Sequence, residues 1–151
     1  MYSKQEASFL NQKFWTSLGQ YLAPIPSAEG EKINWINYKT GEKDIRFLMI
    51  AENDQAKISI TFSHKDTDLQ KIYVEKMLQL KNTLHQFLAE QWEWNLLCSD
   101  SNGRVVSEIY TSIQNVKVLD SADWPLMISF FKERIIALDK FWCENKYAFE
   151  R

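Results

Sequence analysis

The stretch 29–64 alternates most regularly between apolar and polar side chains, and the rest of the chain reads as helices and strands around it. In Lys57–Ser63, Ile58, Ile60 and Phe62 fall on one side, and Lys57, Ser59, Thr61 and Ser63 on the other. Successive strand side chains point to opposite faces, so this pattern predicts a sheet covered on one side. Ile45–Ala51 places Ile45, Phe47 and Met49 one way and Arg46, Leu48 and Ile50 the other. It is apolar on both faces apart from Arg46, which predicts a central strand. A first strand is predicted over Ile33–Tyr38, with interior asparagines that need partners if buried. Turn signals at Lys39-Thr40-Gly41 and Asn53-Asp54 complete a three-strand meander.

The flanking patterns are helical. Ser3-Lys4-Gln5-Glu6 has the form of a capping box, followed by Phe9, Leu10, Phe14, Leu18, Tyr21 and Leu22 at helical spacing. Pro24 and Pro26 end that helix. Asp66 or Asp68 opens a second helix whose stripe runs through Leu69, Ile72, Tyr73, Met77, Leu80, Leu84, Phe87 and Leu88. Strand alternation returns at Trp92–Cys98. Asn102-Gly103 then marks a turn into Arg104–Ile113, and a short strand is predicted at Val116–Leu119. Asp123-Trp124-Pro125 starts a last helix carrying Phe130, Phe131, Ile135, Leu138, Phe141 and Trp142. The expected fold is α+β in the order α-β-β-β-α-β-β-(β)-α. It is a mainly antiparallel sheet with helices on its apolar face, in one domain over residues 1–151.

Composition narrows the function classes. A chain of 151 residues suffices for a stable core without metal or disulfide help. Its six Trp, six Tyr and nine Phe are read first as core filling, and second as an aromatic binding surface. Net charge is −2 and evenly spread: six basic residues face six acidic ones between Glu29 and Lys65. The electrostatic footprint of a nucleic-acid binder is missing from that pattern. A protein partner or self-association is therefore expected ahead of direct nucleic-acid binding. Cys98 and Cys143 have neither metal spacing nor a redox-pair spacing. Their simplest reading is two reduced, packed thiols, with a disulfide between them left open. Neither a signal-peptide pattern nor an apolar run of membrane length occurs, so the expectation is a cytoplasmic protein without membrane contact. No cofactor is implied: G-x-S-x-G, P-loop and dinucleotide fingerprints do not occur.

Several strings together carry a resemblance. They are Phe14-Trp15, Pro26-Ser27-Ala28-Glu29-Gly30, Asn34-Trp35-Ile36-Asn37-Tyr38, Asp123-Trp124-Pro125 and Leu138-Asp139-Lys140-Phe141-Trp142. The chain resembles, over almost its whole length, a bacterial family known only as a domain of unknown function. Members of that family look like free-standing proteins of this length or the C-terminal part of longer chains. In the longer chains the N-terminal part resembles a restriction-endonuclease-like nuclease. The resemblance implies a link to DNA processing or defence and carries over no catalytic residue.

Three constellations merit testing. Restriction-endonuclease-like enzymes bind metal through an acid on the second strand and a D/E-x-K on the third. Asp44, Glu52 and Lys57 are the corresponding candidates here, but Gln55 stands where that motif needs an acid. His64 with Asp66 could form a general-base pair, although a histidine at a strand end more often serves as a cap or surface residue. Arg46 is a charge in an apolar strand, and a buried arginine needs carboxylate partners such as Glu93 or Glu108. One reading is a sheet-face salt bridge. The other is an anion site on the open face, bordered by Tyr38 and Trp35 or Tyr110. The leading reading of the whole is a non-catalytic binding or interaction module. A divergent nuclease and a homodimer scaffold are its alternatives.

Overall fold

The computed structural model describes residues 2–150. Helix α1 (Lys4–Leu22) leads by a long loop to strands β1 (Ile45–Ala51) and β2 (Gln55–Phe62). Helices α2 (Thr67–Gln79) and α3 (Lys81–Leu88) follow. Strands β3 (Glu93–Ser99) and β4 (Val105–Gln114) and helix α4 (Trp124–Asn145) complete the chain. The α+β class is as expected. The four strands form one antiparallel sheet in the order β1-β2-β4-β3.

Register explains the alternation. Phe47 lies opposite Ile60, which lies opposite Ile109, on the face the helices cover. Leu48, Ser59 and Tyr110 line up in the same way on the open face. The covered face packs against Met77, Phe131, Leu138 and Trp142 in one continuous core. The open face is drier than a solvated sheet surface. Lys57 lies over the Tyr110 ring at 4.4 Å and reaches Glu108 at 2.9 Å. These long side chains help to roof Ser59 and Thr61, whose hydroxyls are 2.9 Å apart and buried.

Several expected elements take another form. Residues 33–38 do not form a strand, because Asn34 Oδ1 accepts from Asn37 N–H and closes a turn. The asparagines thus satisfy the backbone locally, and Trp35 donates its indole N–H to the Ile25 carbonyl. With no strand on that side, β1 is an edge strand instead of a central one. Residues 116–119 are also irregular: Val118 N–H is held by the Glu52 carbonyl while Val116 and Val118 are buried. The stripe expected as one helix over 66–88 breaks at Leu80, whose backbone leaves helical geometry (φ −98°, ψ 10°). The break lets α2 pack on β2 and β4 while α3 packs on α4.

Capping follows the sequence at α1, where Ser3 and Glu6 form the expected box. Within α1, however, Phe9 and Tyr21 are exposed, and only Phe14, Leu18 and Leu22 are buried. At α4 the cap shifts by one turn: Asp120 caps a short 3-10 turn, and Asp123 accepts from Lys117 N–H. Gly103, at φ +78°, gives the β3–β4 turn the left-handed backbone its position predicts. Among the described residues, no helix is long and apolar enough to cross a membrane.

Candidate functional site

The loop that replaces the first strand builds a cleft against α4. Ser27 Oγ accepts from the backbone N–H groups of Glu29 and Glu31, folding 27–31 into a tight turn. That turn aims Ala28 N–H at Asp139 Oδ2, 2.7 Å away. Seven residues after the end of the turn, Tyr38 stacks on Phe47 (ring centroids 5.0 Å apart) and donates its hydroxyl to Asp139 Oδ1 at 2.6 Å. Cys143 lies one helical turn beyond Asp139, and its thiol points at the same oxygen from 3.5 Å. Trp142 fixes the far wall by donating Nε1–H to the Thr40 carbonyl at 2.7 Å. Lys146 pairs with Glu29 at 3.3 Å across the mouth. The cleft encloses about 480 Å³, the size of a small-ligand site.

Its electrostatics centre on Asp139, which is 1% exposed. Its hydrogen-bond donors are an amide, a phenol and a thiol, all neutral. Among the described residues no cation forms an ion pair with it. Buried carboxylates are ordinarily matched by a positive charge or a metal. The neighbours feel the difference. Burial, with the Asp139 charge and hydrogen bond added, pushes the Cys143 thiol up to about 12. Burial and the hydrogen bond to Asp139 also raise the Tyr38 phenol well above its ordinary range. Both groups hold their protons at neutral pH, so Cys143 is not an activated nucleophile.

The residues singled out from sequence are distributed over two faces. Tyr38 lines the cleft, and Trp35 is buried beneath its loop. Arg46 and Tyr110 lie on the open sheet face, and Arg46 also lines a groove with Tyr38 along the 37–43 loop. Arg46 is exposed and has no ion pair among the described residues. Glu108 is held by Lys57 instead, and Glu93 accepts from the Tyr110 hydroxyl at 2.7 Å. That bond, first among its causes, raises the Tyr110 phenol.

Asp44 and Glu52 flank opposite ends of β1, about 25 Å apart at strand rise. Lys57, at the Glu52 end, is tied to Glu108. These three groups do not converge, and among the described residues no three His, Cys, Asp or Glu side chains are placed to hold a metal. His64 is neither a cap nor a surface residue: it is buried and stacks on Tyr73 at 4.5 Å. Both cysteines are free thiols.

Asp139, Cys143, Glu29 and Lys146 were not singled out as site residues from sequence. One signal was available: Asp139 sits in the same stripe as Ile135, Leu138 and Trp142, a carboxylate on a buried helix face. Three of the strings that carry the family resemblance meet here, from 26–30, 34–38 and 138–142. A family model described as a domain of unknown function, DUF4268, matches residues 10–146. No curated protein and no solved structure matches the chain.

Proposed function

The chain belongs to the DUF4268 family, a domain of unknown function, and from that premise we propose that it is a non-catalytic binding module. Its recognition site is the Asp139 cleft. Its ligand is a positively charged group, the lysine or arginine side chain of a partner protein. One observation carries this reading: a carboxylate buried at the cleft wall is bonded, among the described residues, only to neutral donors. An incoming ammonium or guanidinium supplies the missing charge and gains from the low local dielectric. Glu29 and Glu31 at the rim add to the negative field, against Lys39 and a Lys146 already engaged with Glu29. The raised Cys143 and Tyr38 groups support binding over catalysis, because neither titrates near neutrality. The resemblance to chains with a nuclease-like N-terminal part supports an accessory place in bacterial DNA processing or defence, in the cytoplasm.

Calorimetric titration with agmatine, a guanidinium and an ammonium joined by a short alkyl stem, tests the reading. A fragment of side-chain size is expected to bind at about 1 mM, so the titration runs to about 10 mM. The wild type is expected to saturate. Asp139→Asn, which keeps an acceptor for Tyr38, is expected to lose binding, and succinate is expected not to bind either protein. Equal agmatine binding by both proteins, or none by the wild type, contradicts it.

A further inference from the structure

The sheet has two edges of different kinds. At β3 the register slips between Asn95 and Cys98, and Leu97 takes a left-handed backbone (φ +52°) with its N–H on Ser107 Oγ. A bulge of this kind blunts an edge against further pairing. Strand β1 has no such device: it pairs with β2 residue for residue from Ile45 to Ala51.

Hydrogen-bond phase shows which groups of β1 are free. Ser63 donates to the Asp44 carbonyl, and Glu52 donates to the Gln55 carbonyl. In an antiparallel ladder such pairs alternate, so Arg46, Leu48 and Ile50 turn their backbone groups toward β2. Ile45, Phe47, Met49 and Ala51 turn theirs outward. The Ile45 groups are taken up locally, by the Glu42 carbonyl and the Thr40 hydroxyl. Those of Phe47, Met49 and Ala51 have no hydrogen bond among the described residues.

We propose that β1 pairs with β1 of a second copy, antiparallel, about a twofold axis at Met49. The outward phase fixes the register. Met49 faces the second Met49, and Phe47 faces Ala51 in both directions. Each of these hydrogen-bonded pairs exchanges two backbone bonds. On the open face this register sets Leu48 against Ile50 and Arg46 against Glu52, each pair occurring twice. Arg46 is exposed and has no ion pair among the described residues, and Ile50 is 38% exposed. Glu52 uses Oε1 for Gln55 Nε2 and retains Oε2. The two leftover charges are therefore of opposite sign and meet across the axis, with apolar pairs between them. The complementarity selects a second copy as the occupant, in an isologous interface that joins two sheets into one. The interface adjoins the Asp139 cleft through the stack of Tyr38 on Phe47, but Arg46, Leu48, Ile50 and Glu52 do not line that cleft.

Sedimentation over about 1–100 µM, a range that brackets the midpoints of a micromolar dimer and of one weakened tenfold, tests it. Wild type is expected to sediment as a dimer at the top of that range. Arg46→Glu sets like charges against each other twice and is expected to weaken association about tenfold or more. The exchange Arg46→Glu with Glu52→Arg is expected to restore it. Both residues are exposed, so folding checked by circular dichroism is expected to be unchanged. A monomeric wild type, an Arg46→Glu protein as dimeric as wild type, or a double exchange that fails to recover the dimer each overturns the proposal.

Discussion

Tyr38 and Asp139 stand 101 residues apart in the chain, and a 2.6 Å hydrogen bond joins them. The bond ties the loop after α1 to the middle of α4 and forms the wall of the cleft. A hydrogen bond to a charged acceptor is worth about 1.5–3 kcal/mol. Tyr38→Phe is therefore expected to cost about 2 kcal/mol in urea unfolding. Asp139→Ala, which also strands Ala28 N–H, is expected to cost about 3 kcal/mol. The two effects should be less than additive by about 1 kcal/mol or more, since they share one bond. Full additivity would mean that the bond is not made in solution.

Cys143 gives a pH signature. Its folded pKa is raised to about 12 by burial and Asp139, so the folded state keeps the proton after the unfolded chain has lost it. This contribution to stability is complete below the unfolded thiol pKa of about 8.5. It falls as pH rises from there toward the folded value. Cys143→Ala is expected to flatten the decline in denaturant midpoint between about pH 9 and 11. At pH 8, in a Cys98→Ser background, the Cys143 thiol is expected to react with a disulfide reagent on the order of a hundredfold slower than a small free thiol. A rate equal to that of glutathione would contradict the raised value.

Gln70 secures α2 to the sheet. It is fully buried, donates to the carbonyls of His64 and Val105, and accepts from Ser107 Oγ at 2.6 Å. Gln70→Leu is expected to remove all three of these buried hydrogen bonds and to cost about 3 kcal/mol or more. Lys57→Met on the open face removes a mostly buried pair, with side chains 20% and 18% exposed, and is expected to cost about 1.5–2 kcal/mol. Chemical denaturation of the two variants side by side checks the ranking.

Mg²⁺ or Mn²⁺ is expected to leave the melting temperature unchanged, with or without a short DNA duplex. The acids that such a site would use, Asp44 and Glu52, lie at opposite ends of β1. A native-state ligand at a hundredfold its dissociation constant adds about 2.7 kcal/mol, which is readily seen by calorimetry. A metal-dependent rise that disappears in Asp44→Ala would contradict this expectation and support the nuclease alternative.

Strong periodic signals carried the fold. The alternation over 45–51 and 57–63, the Ser3–Glu6 box and the apolar stripe of α4 all describe local physics that tertiary packing leaves intact. Ile33–Tyr38 misled because its apolar residues alternate without pairing: Trp35 and Tyr38 pack as separate side chains around an asparagine turn. The break at Leu80 has no proline or glycine to announce it and follows from where α3 meets α4. The cleft was hidden for a different reason. It joins residues far apart in sequence, and only the carboxylate on a buried helix stripe hinted at it. Arg46 drew attention as a charge in an apolar strand, but its strand is an edge, so the charge is solvated instead of buried.

The most direct test of the cleft is a map of amide shifts by ¹H–¹⁵N NMR as agmatine is added to the wild-type protein. The binding reading predicts shifts concentrated at Ala28, Glu29, Asn37, Tyr38 and the turn of α4 from Asp139 to Cys143. Shifts centred on the open sheet face around Tyr110, or none at saturating ligand, would contradict it.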